Sequence, residues 1–121
     1  MSVQHQISGR ALQLSLAEEQ ARVREELAAD RTRSARTLIK NGPLRVTLIG
    51  LHGGGEMHEH RADGPITVQV LEGDIAFEAE GRRWPLAAGD LLALDAGVTH
   101  SVRSKSGGFF LLTVIAPGEG E

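Results

Sequence analysis

Two histidines separated by one residue, His58-Glu59-His60, are the part of this sequence best suited to chemistry. On an extended strand, side chains two apart project to the same face, so both imidazoles would stand on one side of a sheet. If that side is an enclosed interior, one metal ion could take a nitrogen from each, with a third ligand supplied from elsewhere in the fold. His100, directly after Ala96-Gly97-Val98-Thr99, is the only histidine in the second half of the chain. Three neutral imidazoles and a water suit Zn²⁺, and Fe, Ni or Mn are the other divalent candidates. With no carboxylate in the set, the ion would keep its full charge and favour an anionic ligand or bound hydroxide.

Three acidic or imidazole groups stand near this pair. Glu56 shares the parity of His58 and is a candidate for the pocket wall. Asp63 follows His60 by three residues and becomes a donor if the intervening loop folds inward. His52 has the same parity, but Gly53-Gly54-Gly55 interrupts the strand, so His52 is expected at a loop or rim. A His-x-His pair is by itself a weak signal. The alternative, in which His58 and His60 are polar pocket groups without a metal, stays open.

The elements that would position these groups are strands. Thr37-Leu38-Ile39, Leu44–Ile49, Ile66–Leu71, Ile75–Glu80, Trp84–Leu86, Leu91–Leu94, His100–Arg103 and Phe109–Ile115 read as short strands. Between them lie Asn41-Gly42-Pro43, Glu72-Gly73-Asp74, Gly81, Gly89-Asp90, Ala96-Gly97 and Gly107-Gly108, and the total of 15 glycines suits many tight turns. Closely spaced strands without helices between them predict a sandwich or barrel. Ile66, Val68 and Val70 share one face and predict an apolar wall; Leu91–Leu94 reads as core. Trp84 is expected to cover a barrel end or an interface.

Ahead of the strands, Ser15-Leu16-Ala17-Glu18 has capping-box spacing. Leu16, Gln20, Val23 and Leu27 then follow helical spacing, which predicts a short amphipathic helix with Glu18, Glu19, Arg22, Glu25 and Glu26 outward. It either lies on the outside of the domain or closes a dimer interface.

Composition narrows the functional classes. The 121 residues are enough for one domain, 40% hydrophobic and 24% charged, as in globular proteins. A net charge of -3 and the absence of a Lys/Arg block give no reason to expect nucleic acid. With no Tyr, one Trp and three Phe, base-stacking aromatics are also scarce. No cysteine is present, which excludes disulfides, thiolate metal sites and cysteine nucleophiles. No apolar stretch reaches the ~20 residues of a membrane span, and Met1 to Leu16 is too polar for a secretory signal. The expected location is the cytoplasm.

The sequence resembles the cupin family. Its first motif, G-x5-H-x-H-x(3,4)-E-x6-G, is matched by Gly53-Gly54-Gly55-Glu56-Met57-His58-Glu59-His60, continuing to Val70-Leu71-Glu72-Gly73. Its second, G-x5-P-x-G-x2-H-x3-N, is matched by Gly89 to Gly97-Val98-Thr99-His100. The likeness runs from about Leu38 to Ile115 and implies an all-β fold, the double-stranded β-helix or jelly-roll barrel, here with its short N-terminal helix. It also implies a metal held by His58, His60 and His100. The departures are specific: the family glutamate falls at Ile66, the stretch from His60 to Ile66 is a residue or two long, the second-motif proline is Asp95 and its asparagine is Ser104.

The expected organisation is a helical extension over residues 1–34, a barrel over 35–117 and a flexible tail over 118–121. Two functions follow. One is a metal-dependent enzyme, oxygenase- or isomerase-like, on a small polar or anionic molecule, with no catalytic residue assigned. The other is a non-catalytic, small-molecule-binding or sensory module, metal-free or with a structural metal. A homodimer is expected in either case, with neither nucleic acid nor membrane as partner.

Overall fold

A computed structural model describes residues 11–29 and 31–116. Residues 1–10 of the expected extension and the expected tail at 118–121 lie outside the described residues. One helix, α1 (Leu16–Ala28), precedes eight strands: β1 (Arg33–Asn41), β2 (Leu44–His52), β3 (Glu56–His60), β4 (Ile66–Ala79), β5 (Arg82–Ala87), β6 (Leu91–Leu94), β7 (His100–Arg103) and β8 (Gly107–Ile115).

All strand pairings are antiparallel. One sheet runs β1-β2-β8 to the first half of β4, which also pairs with β6. The second half of β4 pairs with β5 and β7, and β7 carries β3 at the edge. β4 thus belongs to both sheets, which curl around one interior as an all-β jelly roll. Alternation sorts its side chains as expected: Ile66, Val68 and Val70 are buried, while Thr67 and Gln69 are exposed. With Ile49, Leu51, Ile75, Phe77, Leu94, Val102 and Phe110 they form the inner core.

The break expected at Glu72-Gly73-Asp74 is a bend inside one strand, not a turn between two. The β4–β8 register shifts between Val70 and Glu72, and Gly73 has φ 77°. A Cβ on Gly73 would stand 2.1 Å from the Gly107 carbonyl oxygen, so only glycine lets β4 cross β8 this closely. Beyond the bend, Asp74 binds the turn before β8. Its carboxylate accepts the Ser106 hydroxyl and the N–H groups of Lys105 at 2.8 Å and Ser106 at 2.9 Å. The Ser106 hydroxyl above all, then the Lys105 N–H, hold this carboxyl below its ordinary value.

The outer face of the first sheet is covered by α1. Ser15 is its N-cap, accepting from the Glu18 N–H at 3.3 Å. Val23 and Leu27 pack on Leu38, Leu48 and Phe109 in a second cluster. The helix lies directly on Gly50, where a Cβ would be 2.9 Å from Val23 Cγ1. Consecutive residues serve opposite layers: Leu48 and Phe109 meet the helix, Ile49 and Phe110 the interior.

Two expectations need correction. Glu19, expected outward, is buried with its side chain 5% exposed. Its carboxylate pairs with Arg36 of β1 at 2.5 Å and with Arg22 at 3.5 Å. Helical spacing places it beside Val23, and the arginine emerging from β1 makes that position tenable for a charge. Leu91–Leu94 is only partly core: Leu94 is buried and Leu92 packs on the core, but Leu91 is 67% exposed because alternation turns it outward with Ala93.

Breaking a buried pair leaves an uncompensated charge. Arg36→Ala should therefore lower stability by about 3 kcal/mol in urea unfolding, the low end of such losses because α1 can lift Glu19 into water. Glu19→Leu combined with Arg36→Leu should recover most of that loss, and equal losses in the single and double variants would contradict this account.

Candidate functional site

β3 and β7 bring two of the three expected histidines together. His60 and His100 are directly paired across the strands, with ring centroids 6.4 Å apart and planes inclined by 36°. His100 is buried, 8% exposed, and lies 5.6 Å from the Phe77 ring, which meets Phe110 edge-on at 5.7 Å. The His100 Nδ1–H donates to the Val98 carbonyl at 3.1 Å, which leaves Nε2 as the acceptor of the neutral ring.

His58 is not brought to them. Its side chain is 87% exposed, with Nε2 3.6 Å from Glu56 Oε1. The cause is a register shift between Met57 and His60: Met57 opposes Val102 and His60 opposes His100. Three steps on β3 are matched by two on β7, a β-bulge that absorbs one residue and reverses the alternation. Met57 and His60 therefore share the inner face, while His58 and Glu59 line an outer hollow with Ser101 and Arg103. The regular strand assumed from sequence has no place for this extra residue, and nothing in the composition of Met57–His60 signals it.

The inner face opens on a cavity of about 130 Å³. Its walls are mostly apolar, among them Ile49, Ile66, Phe77, Val102, Phe110 and Leu112, with His60, His100 and Arg61 as the polar members. Ile66 is buried in this wall, at the position of the family glutamate. Glu56 lies on the outer hollow with His58, and Asp63 is exposed. His52, a pocket candidate in the sequence, lines neither space and ends β2 on the helix side, where its Nε2 donates to the Leu27 carbonyl at 2.9 Å and ties the helix end to the sheet. Met57, Phe77 and Arg61 enter the site without having been anticipated; the parity of Met57 is visible only once the bulge is known.

His60 sits where the cavity meets solvent. Its ring is held below the ordinary imidazole value of 6.5, first by partial burial and then by the positive charges of His100, Arg33 and His58. The donor set does not fit the resident metal that the family likeness implies. Among the described residues no three His, Asp or Glu side chains are grouped to hold an ion, and two imidazoles without a carboxylate fall short of a usual zinc set.

The family model described as Cupin domain matches residues 46–116. The chain belongs to the cupin family. A search of the curated proteins finds no match. Among solved structures, a conserved protein of unknown function from Streptococcus pyogenes is 26% identical, with 97% of this chain and 96% of that one aligned at a TM-score of 0.72. An RmlC-like cupin from Shewanella frigidimarina is 24% identical over 73% of this chain and 79% of its own, at 0.67. Salicylate 1,2-dioxygenase from Pseudoaminobacter salicylatoxidans, solved as adducts with gentisate, is 17% identical at 0.78, with 89% of this cupin covering 37% of that chain. These likenesses concern the barrel. Trp84, expected at a barrel end or an interface, packs on the inner core beside Phe77 and under Arg82. No described helix of this cupin is long and apolar enough to cross a membrane.

A depressed imidazole makes the folded state bind fewer protons than the unfolded chain. The stability tied to His60 is then fully present above the unfolded value of 6.5 and is lost as pH falls through the folded value. In an NMR titration His60 should protonate below 6.5, and His60→Gln should flatten the fall of melting temperature between about pH 7 and pH 5. A His60 midpoint at or above the ordinary value would contradict the assigned surroundings.

Proposed function

We propose that this cupin is a small-molecule-binding module whose site is the apolar cavity under His60 and His100. The observation that carries the reading is the contrast within the cavity wall: apolar on nearly every side, with two facing imidazoles at one end. Pockets of this kind bind by excluding water from an apolar body and orient the ligand with few polar groups. His100 supplies a buried acceptor at Nε2, and His60, neutral at physiological pH, supplies a second polar contact at the rim. Phe77 stacks behind His100 and holds its ring in place.

A metal-dependent reading keeps one supporting observation, the direct pairing of His60 with His100 across β3 and β7. It needs the His58 ring on the other face of β3, or a donor that Ile66 does not provide. A fold shared with a dioxygenase at 17% identity argues for architecture alone.

Protein purified without chelator should carry sub-stoichiometric Zn, Fe, Ni and Mn by elemental analysis, unchanged in His58→Ala, His60→Ala and His100→Ala. A full equivalent of one metal, lost in those variants, would replace the proposed reading with the metal-dependent one. Ile66→Glu places a carboxylate in the cavity wall and should create metal binding that the parent lacks. If a folded Ile66→Glu protein gains none, Ile66 does not face His60 and His100.

A further inference from the structure

We propose that the ligand is a small monocarboxylate with an apolar body, its charge held at the cavity mouth by Arg33 with Arg31 beside it. This rests on the reading of the cavity as a small-molecule site and specifies what enters it. A second hollow of about 480 Å³ adjoins the cavity, walled by Glu26, Arg31, Arg33, Ser34 and Ala35. Ile49, Met57 and His60 line both spaces, so a molecule that fills the cavity and extends past these residues would meet the guanidinium groups.

The placement of Arg33 is set by the strand. On β1, Ser34 and Arg36 meet α1 through Glu26 and Glu19. Alternation sends Arg33 and Ala35 to the face they share with Leu51 and Ile49, their partners on β2, while Ser34 and Glu26 wall the hollow from the helix side. Arg33 is also near enough to His60 for its charge to oppose protonation of that ring.

The charges at the mouth are available. Arg22, Arg24, Arg36 and Arg103 are engaged by carboxylates. Among the described residues Arg31, Arg33, Arg45, Arg61, Arg82 and Arg83 have no such partner, and of these Arg31 and Arg33 line the hollow and Arg61 the cavity. Glu26 shares the hollow and keeps its charge while accepting the Ser34 hydroxyl, so two guanidinium groups face one carboxylate there. The mouth is thus cationic on a chain whose net charge is -3, a local field suited to one carboxylate. The size of the body follows from the cavity: about 130 Å³ is close to the volume of an engineered apolar cavity, in another protein, that binds benzene.

The experiment compares benzoate with benzyl alcohol, the same ring without charge, by calorimetry and by amide shifts of the labelled full chain. Benzoate should bind about tenfold tighter at low salt, shifting Met57, Ile66 and Phe110. Arg33→Gln should remove most of that preference while leaving benzyl alcohol affinity unchanged, Arg33→Lys should restore part of it, and added salt should erode it. Equal affinity of the two probes, both seated in the cavity, would overturn the carboxylate inference and leave the small-molecule reading standing. Failure of both probes on folded protein would remove that reading and the inference together. Inorganic phosphate binding as tightly as benzoate, without shifting the cavity residues, would mean a surface anion site and would also overturn the inference.

Discussion

The structure depends on the close approach of β4 and β8 at Gly73 and Gly107–Gly108. Backbone oxygen atoms stand where side chains would otherwise begin, and this contact lets β4 leave one sheet and enter the other without a loop. Ile66 belongs to the half of β4 before the bend and Phe77 to the half after it, yet both line one cavity. A regular β4 without that register shift would send Ile66 and Phe77, an odd number of residues apart, to opposite faces. The hydrogen bonds from Lys105 and Ser106 to Asp74 hold the opposing turn in register at the same corner, so the enclosure rests on backbone proximity backed by one carboxylate.

Two layers are fastened to this frame with different chemistry. Among the described residues the interior is mostly apolar, with His60, His100 and Arg61 as its polar members. The outer layer, between α1 and the first sheet, combines Val23 and Leu27 packing with the Glu19–Arg36 ion pair and the His52 bond to the Leu27 carbonyl. Phe109 and Phe110, adjacent in sequence, serve the two layers separately. Displacing the helix would expose the face of β2 and β8 that Phe109 shares with Leu48, one residue away from the cavity wall.

Much of this was legible from residue order. The Ser15 cap, the alternation of Ile66, Val68 and Val70, the glycine-bearing turns and the family motifs all point to the fold found here. They succeed because each is a local rule that the tertiary structure leaves intact. Glu19 escaped because a helical pattern ranks residues by polarity, whereas burial here is decided by Arg36, a partner 17 residues away. The bend in β4 escaped because glycine marks both turns and bulges. His58 escaped for a sharper reason: period-two reasoning has no tolerance for an extra residue, and β3 contains one.

That bulge makes chain length, rather than side-chain identity, the variable that selects which groups the cavity presents. Removing one residue between Met57 and His60 would exchange inner and outer faces at one end of β3 while leaving every remaining amino acid unchanged. In a barrel so built, small insertions and deletions along an edge strand can recast the chemistry of the interior in one step, a route to divergence that comparison of aligned side chains alone would overlook.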